Sequence, residues 1–349
     1  MTITEEVRGV DRDNRVAGYF QRARAKMSEA PAEVAVPESG TVARRAGEID
    51  GARLLNIADA WMGRHVWMSD AARHTAVLYV AAQHFRLAES GRLAWPKFGK
   101  VLYVAAEPGS GKTTAMVCMG YMSAPWFHGI DANPTAPGLC YTIRDEGACV
   151  FIDEMHRLVG AKGTRKADVI TIANVSYEKN GSFLNGRGGK SSRVKVYAPM
   201  VMAGRDTLLD AASEEIGDLI DRCAAIVHMA RPPEDIELAE MTDQSEAQGE
   251  AIAAMLAAWA AEQMADAQRF REAFTAACDR CREIGLTGRA KDVWAPLIAT
   301  ALLASEGHAD AACEAALEFR KNRPVQGEDD PLAGLEAELG GGGELSSWG

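Results

Sequence analysis

Residues 101–114, VLYVAAEPGSGKTT, decide how the rest of the chain is interpreted. The run from Lys100 to Ala106 is short and almost entirely apolar, which predicts a buried strand. The residues from Ala106 to Thr113 fit the phosphate-loop pattern, with alanine in place of its first glycine. Glycines there let backbone N–H groups converge on phosphates, and a helix that begins there adds the positive end of its dipole. The stretch therefore predicts a phosphate-binding turn between a strand and a helix.

The side chains of this loop have the chemistry that a nucleotide needs. Lys112 is expected to neutralise the β- and γ-phosphates of ATP, and the hydroxyl of Thr113 is expected to bind Mg²⁺. The residues expected at the nucleotide are Glu107, Pro108, Gly109, Ser110, Gly111, Lys112, Thr113 and Thr114. The alternative interpretation is a glycine turn that carries a surface lysine.

A second motif lies downstream, where the apolar stretch ACVFIDE (residues 148–154) ends in two adjacent carboxylates. Asp153, at the end of the predicted strand, is expected to hold Mg²⁺ through water. Glu154 is expected to orient and deprotonate the attacking water. A strand that merely ends at two solvated acids is the alternative. Together the two motifs predict an enzyme that hydrolyses ATP, with Lys112 and Glu154 as catalytic residues.

A third stretch follows the order strand, polar junction, helix, Asp-Arg-Cys, strand. Residues 193–204 (RVKVYAPMVMAG) are predicted as one strand, and Arg222 lies just before the last strand of the series. This order resembles the AAA+ ATPases, in which a polar sensor follows the fourth strand and an arginine before the fifth strand reaches a neighbouring subunit. The resemblance implies an α/β fold: a three-layer P-loop NTPase core with a parallel sheet, N-terminal helices and a C-terminal helical lid.

The same resemblance implies roles for three residues. Arg222 would be a catalytic arginine finger that compensates charge on the transferring phosphoryl group. Arg205 and Asp206 are the sensor candidates, at a place where the family usually has Asn or Thr. For Arg222 the alternative is a helix-end arginine paired with Asp221 or Asp218.

The Ala-rich stretch from about residue 247 onward is predicted to be helical and resembles the lid of these ATPases. Within it, GLTGRAKDVW (residues 285–294) places Arg289 near a helix start. The resemblance implies that Arg289 closes onto the γ-phosphate as a second sensor, and an ordinary exposed arginine is the alternative. Pro296 predicts that this helix is short, kinked or restarted.

The stretch GSFLNGRGGKSSRVKVY (residues 181–197) is a local cluster of positive charge. It contains no acid, and Asn-Gly and Gly-Gly turn signals lie between two strand-like runs, which predicts a hairpin. Its basic residues are Arg187, Lys190, Arg193 and Lys195. Because phosphate contacts need Lys and Arg in one place, the hairpin is a candidate nucleic-acid contact. DNA-translocating members of the superfamily carry a pore hairpin here; a solvated flexible loop is the alternative.

Composition and cysteine usage limit the class of protein. The 349 residues are 47% hydrophobic, enough for a full-sized core, and the net charge of −11 argues against a surface that coats nucleic acid everywhere. Seven cysteines without framework spacing, and no signal-peptide stretch, predict a reduced, cytoplasmic protein without a membrane anchor. Cys278 and Cys281 share a helical face with Phe270 and Phe274, which favours core packing over metal binding.

The expected domain organisation has five parts. They are a flexible N-terminal arm (1–50), an N-terminal helical segment (51–95), the P-loop ATPase core (96–232), the helical lid (247–322) and an acidic, Gly-rich disordered tail (323–349).

Residues 51 to about 320 resemble a P-loop family of phages and mobile elements that is often encoded near primase-type replication proteins. The stretches YVAAQHF, EPGSGKTT, FIDE, APMVMAG, DLIDRC and GRAKDVWAPLIA carry this resemblance. It implies an AAA+ type motor, a helicase or translocase, that forms a homo-oligomeric ring such as a hexamer. Its partners would be single-stranded or duplex DNA and a replication protein. The alternatives are a protein-remodelling ATPase or helicase loader, and a monomeric nucleotide or small-molecule kinase.

Overall fold

The computed structural model describes residues 49–88, 90–158, 164–187, 190–209 and 214–321. The expected N-terminal arm, apart from residues 49 and 50, and the expected acidic tail lie outside these ranges.

Six β-strands form two sheets in the described residues. They are β1 (Lys100–Ala105), β2 (Val150–Ile152), β3 (Ser182–Arg187), β4 (Lys190–Lys195), β5 (Met200–Arg205) and β6 (Cys223–His228). Four of them make a parallel sheet in the order β2-β5-β1-β6. The other two, β3 and β4, pair antiparallel as a separate hairpin. The short buried strand expected from Lys100 is confirmed as β1.

Ten α-helices surround the sheet in the described residues. They are α1 (Gly51–His65), α2 (Asp70–Gln83), α3 (Lys112–Met122), α4 (Ala136–Tyr141), α5 (Thr164–Val175), α6 (Glu214–Asp221), α7 (Asp243–Ala265), α8 (Ala267–Glu283), α9 (Gly288–Ala304) and α10 (Glu306–Lys321). The expected helical segment after residue 51 is confirmed as two helices, and Ser69 caps the second by accepting a hydrogen bond from Ala72 N.

Helices cover both faces of the parallel sheet. Side chains alternate along β1, so that Val101 and Tyr103 enter a core built with α1–α3 and α7–α10, whereas Leu102 and Val104 enter a second core built with α4–α6. A sheet buried on both faces needs strands that are apolar along nearly their whole length. The sequences of β1 and β5 meet this requirement. The fold is therefore α/β, and its layering is compatible with a three-layer architecture.

The C-terminal helices share one core with the N-terminal helices. Trp259 of α7 is fully buried and meets Phe85 edge-to-face, with ring centroids 5.5 Å apart. Phe270 of α8 lies against Trp95 at 4.9 Å, and Cys281 is fully buried in the same cluster. The packing interpretation of the CxxC pair is thus confirmed for Cys281. In the described ranges no group of three or more His, Cys, Asp or Glu side chains is placed to hold a metal ion.

The prediction of one strand over residues 193–204 is wrong. The chain forms β4 up to Lys195, leaves the hairpin, and begins β5 only at Met200. Between them Val196 N donates to Gly181 O and Ala198 N donates to Ser176 O, so this segment closes the base of the hairpin instead of entering the sheet. Pro199 has no N–H to donate to a ladder, which separates the two strands.

Of the three outcomes expected at Pro296, the short helix and the restarted helix are wrong, and the kink stays a prediction. Helix α9 continues through Pro296 from Gly288 to Ala304. Its neighbours Val293, Leu297 and Ile298 are fully buried, so packing compensates for the hydrogen bond that proline cannot donate. Across the described part of the chain, none of the helices combines the length and the apolar character that crossing a membrane requires.

Lys100, at the start of β1, is a buried lysine whose Nζ has no hydrogen-bond partner among the described residues. Its pKa is lowered from 10.5 to about 7, chiefly by burial, while Cys223 on the neighbouring strand raises it and Arg222 lowers it. Between pH 7 and pH 10.5, Lys100 is protonated in the unfolded chain and neutral in the folded chain. Stability linked to Lys100 therefore rises with pH across this window.

We expect Lys100→Met, which keeps the side-chain volume and removes the charge, to raise the free energy of unfolding at pH 7. The gain should shrink as the pH rises toward 10.5, because the unfolded lysine then loses its proton as well. Urea denaturation of both proteins at a series of pH values measures the difference. A gain that does not change with pH would contradict the assignment of a neutral, buried Lys100.

Candidate functional site

The candidate site lies at the carboxyl edge of the parallel sheet. Strand β1 ends at Ala105 and runs into the Gly-rich loop, which ends where α3 begins at Lys112. Strands β2 and β5 end at Ile152 and Arg205, beside it. Because parallel strands finish at one edge, the residues that follow them meet there, as ligand-binding residues do in open α/β sheets.

Two glycines give the loop its shape. Gly109 and Gly111 have φ angles of 77° and 84°, in the left-handed region that side chains rarely adopt. Gly111 is also the N-cap residue of α3, so no side chain caps the first turn of that helix. The backbone N–H groups of that turn are the ones that bind anions in other helices. The strand, turn and helix expected from the sequence are present.

A hydrogen bond joins the two motifs that lie 40 residues apart in the chain. Thr113 Oγ1 donates to Asp153 Oδ2 at 3.0 Å. Beside it, Lys112 Nζ donates to Ser110 Oγ at 3.2 Å, which folds the lysine back over the loop. The hydroxyl and the carboxylate expected to share a divalent cation are therefore adjacent, and the lysine lies next to them.

Glu154 occupies a strained place at the end of β2. Its φ of 59° is the one positive value of a non-glycine residue in the described ranges. Its N–H donates to Asp153 Oδ1 at 2.7 Å. Its carboxylate lies 2.9 Å from Arg157 Nε and 3.3 Å from His156 Nε2. The backbone thus turns Glu154 out of the line of the strand, toward two basic side chains.

The cleft between these elements contains residues from β1, the loop, β2 and β5. Its lining residues are Ala105, Ala106, Glu107, Pro108, Lys112, Asp153, Glu154, His156, Gly204 and Arg205. Of the two sensor candidates, Arg205 lines the cleft. The carboxylate of Asp206 instead accepts a hydrogen bond from Thr207 N at 2.9 Å and so caps the turn that follows β5.

Three basic residues at the site were missed by reasoning from the sequence. His156 links two strand ends, because Arg205 N lies 3.4 Å from His156 Nδ1 while His156 Nε2 lies near Glu154. Arg157 pairs with Glu154, and Arg231 donates to Pro108 O at 3.1 Å. His156 and Arg157 could have been found from their position directly after FIDE. No local pattern indicated Arg231, which reaches the loop only because β6 pairs with β1.

Arg222 and Arg289 lie at the other, amino edge of the sheet. Arg222 O accepts the N–H of Lys100, the first residue of β1. The Arg222 side chain is 12% exposed, lies over the ring of Tyr177 at 5.1 Å and pairs with Asp218 at 3.1 Å. The ion pair that the sequence also allowed for Arg222 is thus present. Arg222 does not reach the cleft of its own chain.

Arg289 binds the same carboxylate group. Its Nη1 lies 3.1 Å from Asp218 Oδ1 and 3.2 Å from Asp221 Oδ2. Partial burial alone would raise the pKa of Asp218, but Arg222 and Arg289 together lower it. The structure therefore places Arg289 beside Arg222, away from the phosphate-loop candidate.

The expected hairpin is present as β3 and β4, and its turn at residues 188–189 lies outside the described residues. Arg187 pairs with Lys190 at the far end of the two strands. Arg193 lies opposite Leu184, a leucine that is 59% exposed, and Lys195 lies opposite Ser182. Residues 196–199 connect the hairpin to the first residue of β5, so it is attached at the amino edge.

Comparison with known proteins adds no family assignment. A scan of the sequence against models of known protein families found no match, and a search of the curated proteins found no similar sequence. The site is therefore interpreted from its own geometry and chemistry.

Proposed function

We propose that this protein is an ATP-hydrolysing, AAA+ type motor that acts on DNA as a helicase or translocase, in the replication setting that the family resemblance implies. The observation that carries the proposal is the hydrogen bond of Thr113 to Asp153 beside Lys112. It brings a hydroxyl, a carboxylate and a lysine together at a Gly-rich helix start, which is the donor set for a magnesium–nucleotide complex.

The residues present fit Mg²⁺ and ATP. Mg²⁺ prefers oxygen ligands and is held by one or two carboxylates together with substrate phosphates. Thr113 Oγ1 and Asp153 Oδ2, 3.0 Å apart, supply such oxygens. When bound, the ion would neutralise charge on the phosphates of the nucleotide. Lys112 would exchange Ser110 for a phosphate oxygen, since a contact between opposite charges is stronger than a contact with an uncharged hydroxyl.

Glu154 would serve as the general base. Its carboxylate is 35% exposed in the cleft and now holds Arg157 and His156, so it must exchange these partners to accept a proton from water. The left-handed backbone supports this role, because strain of this kind is concentrated at functional sites. Asp153 stays bound to Thr113 and to Glu154 N, which keeps the two carboxylates in separate roles.

A catalytic role for Arg222 would require a shared site in an oligomer. A catalytic arginine at the amino edge cannot serve the cleft at the carboxyl edge of its own chain, so it can act only on the cleft of another copy. To do so, Arg222 would leave Asp218, which Arg289 also binds and would retain. With Arg222 as the finger, the proposal is therefore a ring or another head-to-tail assembly and not a monomeric kinase.

The hairpin is the proposed DNA contact. Arg193 and Lys195 are exposed on the same strand, and their side chains donate to uncharged acceptors, Ser182 Oγ and Asn180 O, at 3.3 and 3.4 Å. Long contacts with uncharged acceptors are easily exchanged for contacts with charged phosphate oxygens. The exposed Leu184 opposite Arg193 favours a second candidate, a protein-remodelling ATPase, because an apolar side chain at a hairpin also suits an unfolded peptide.

The first prediction separates nucleotide binding from hydrolysis. Lys112→Ala should lose ATP binding, because the phosphate charge is then uncompensated. Glu154→Gln should bind ATP with Mg²⁺ and hydrolyse it on the order of 10²-fold or more slowly, because only the base is removed. Equilibrium binding and steady-state phosphate release measure the two effects. Nearly normal turnover by Glu154→Gln would remove that residue from the mechanism.

The second prediction concerns Arg222, which should supply on the order of 10³-fold in rate to a neighbouring subunit. Mixing Arg222→Ala with Lys112→Ala protein should restore part of the ATPase activity, since a mixed interface pairs an intact loop with an intact arginine. Arg289→Ala in place of Arg222→Ala is the matched comparison at the same edge. Absence of recovery in mixtures that demonstrably assemble would argue against a shared site.

The third prediction is that replacing Arg187, Lys190, Arg193 and Lys195 with Ala abolishes stimulation by single-stranded DNA. The parent's DNA affinity should fall with salt at a log-log slope of ~−0.7 per phosphate contact, about −3 for four contacts. The matched control replaces four exposed cations elsewhere, Arg53, Arg271, Arg282 and Lys321, so that net charge changes equally. If both quadruple variants bind DNA like the parent, the protein-remodelling candidate replaces the motor.

A further inference from the structure

We propose that Arg231 binds the phosphate groups of the nucleotide within its own chain; this inference rests on the proposed function and adds a residue to that same site. Arg231 lies shortly after β6, at a place where nothing in the local sequence indicated a ligand contact. Tertiary structure alone brings it to the phosphate-loop candidate.

Strand pairing carries Arg231 to the loop. Met229 N donates to Val104 O at 2.8 Å, which extends the β1–β6 pairing up to the start of the loop. The methyl group of Met229 lies 3.7 Å from the position that a Cβ atom would take on Gly111. Two residues later Arg231 Nε donates to Pro108 O at 3.1 Å. It also lies 3.7 Å from the position that a Cβ atom would take on Gly109. The guanidinium therefore lies against Gly109, and Met229 lies against Gly111.

Arg231 can exchange its partners in the structure for a phosphate group. Its ion pair with Glu107 is 3.5 Å long and both side chains are largely exposed, 61% and 70%. Exposed pairs of this kind contribute little and are easily broken. A guanidinium has five N–H donors in a planar fork, and the Nε contact with Pro108 O accounts for one of them. The remaining donors have the geometry that phosphate oxygens match.

The charges at the loop favour the exchange of Glu107 for phosphate. Glu107 places a carboxylate at the loop, where it would repel an incoming phosphate, and its ion pair with Arg231 compensates that charge. When phosphates arrive, they offer Arg231 a stronger partner than Glu107. Two cations beside the same loop then bind the phosphates. They are Lys112, which donates to Ser110, and Arg231, which donates to Pro108.

The test is titration of the full-length protein with ADP and Mg²⁺ by calorimetry, comparing the parent with Arg231→Gln. Glutamine places its Nε2 where arginine has Nε, so the contact with Pro108 O can persist while the charge and the other donors are lost. We expect the Kd for ADP to rise about tenfold or more, as for loss of a hydrogen bond to a charged group. Arg231→Lys, which keeps the charge, should recover part of the affinity.

Two controls separate this inference from the proposed function. Arg271→Gln removes an exposed arginine of α8 and should bind ADP like the parent. The affinity of Arg231→Gln should also fall less steeply with salt than that of the parent, which loss of a purely structural contact would not cause. Parental ADP affinity in Arg231→Gln, with binding lost in Lys112→Ala, would overturn the role of Arg231 alone. Absence of ADP binding by the parent would overturn the proposed function itself.

Discussion

The parallel register of the central strands is the constraint on which the candidate site depends. Ala105 of β1 aligns with Arg205 of β5, and Ile152 of β2 aligns with Met202 of the same strand. The chain therefore leaves all three strands at one edge, and the hydrogen bond from Thr113 to Asp153 follows from that alignment. A shift of one residue in any strand would turn its side chains to the opposite face and separate these groups.

The same register gives the two edges of the sheet different chemistry. The carboxyl edge holds the loop with Lys112, the carboxylates of Asp153 and Glu154, and Arg205. The amino edge holds Arg222 and the base of the hairpin. With six residues in β1, the two edges are separated by about 17 Å. Groups at opposite edges are therefore too far apart to act together within one chain.

Aromatic packing ties the C-terminal helices to the sheet. Trp259, Phe85, Trp95 and Phe270 contact one another in the core that also contains β1 side chains. Residues expected to form a separate lid thus share apolar burial with residues expected to form an N-terminal segment. A large movement of α7 and α8 away from the sheet would expose this cluster to water, at a cost of a few kcal/mol for each aromatic side chain. Smaller shifts, such as exchange of the ion pairs around Asp218, leave it intact.

By itself the sequence determined the elements whose signals are local. The turn at Gly109 and Gly111, the strand before it, the cap at Ser69 and the hairpin depend on residue types at short spacing, so they could be predicted. Tertiary structure decided where distant residues meet. It ended β4 before Pro199, continued α9 through Pro296 by burial, placed Arg289 beside Asp218 and brought Arg231 to Pro108. These outcomes depend on strand pairing and packing between residues far apart in the chain, which short-range patterns do not encode.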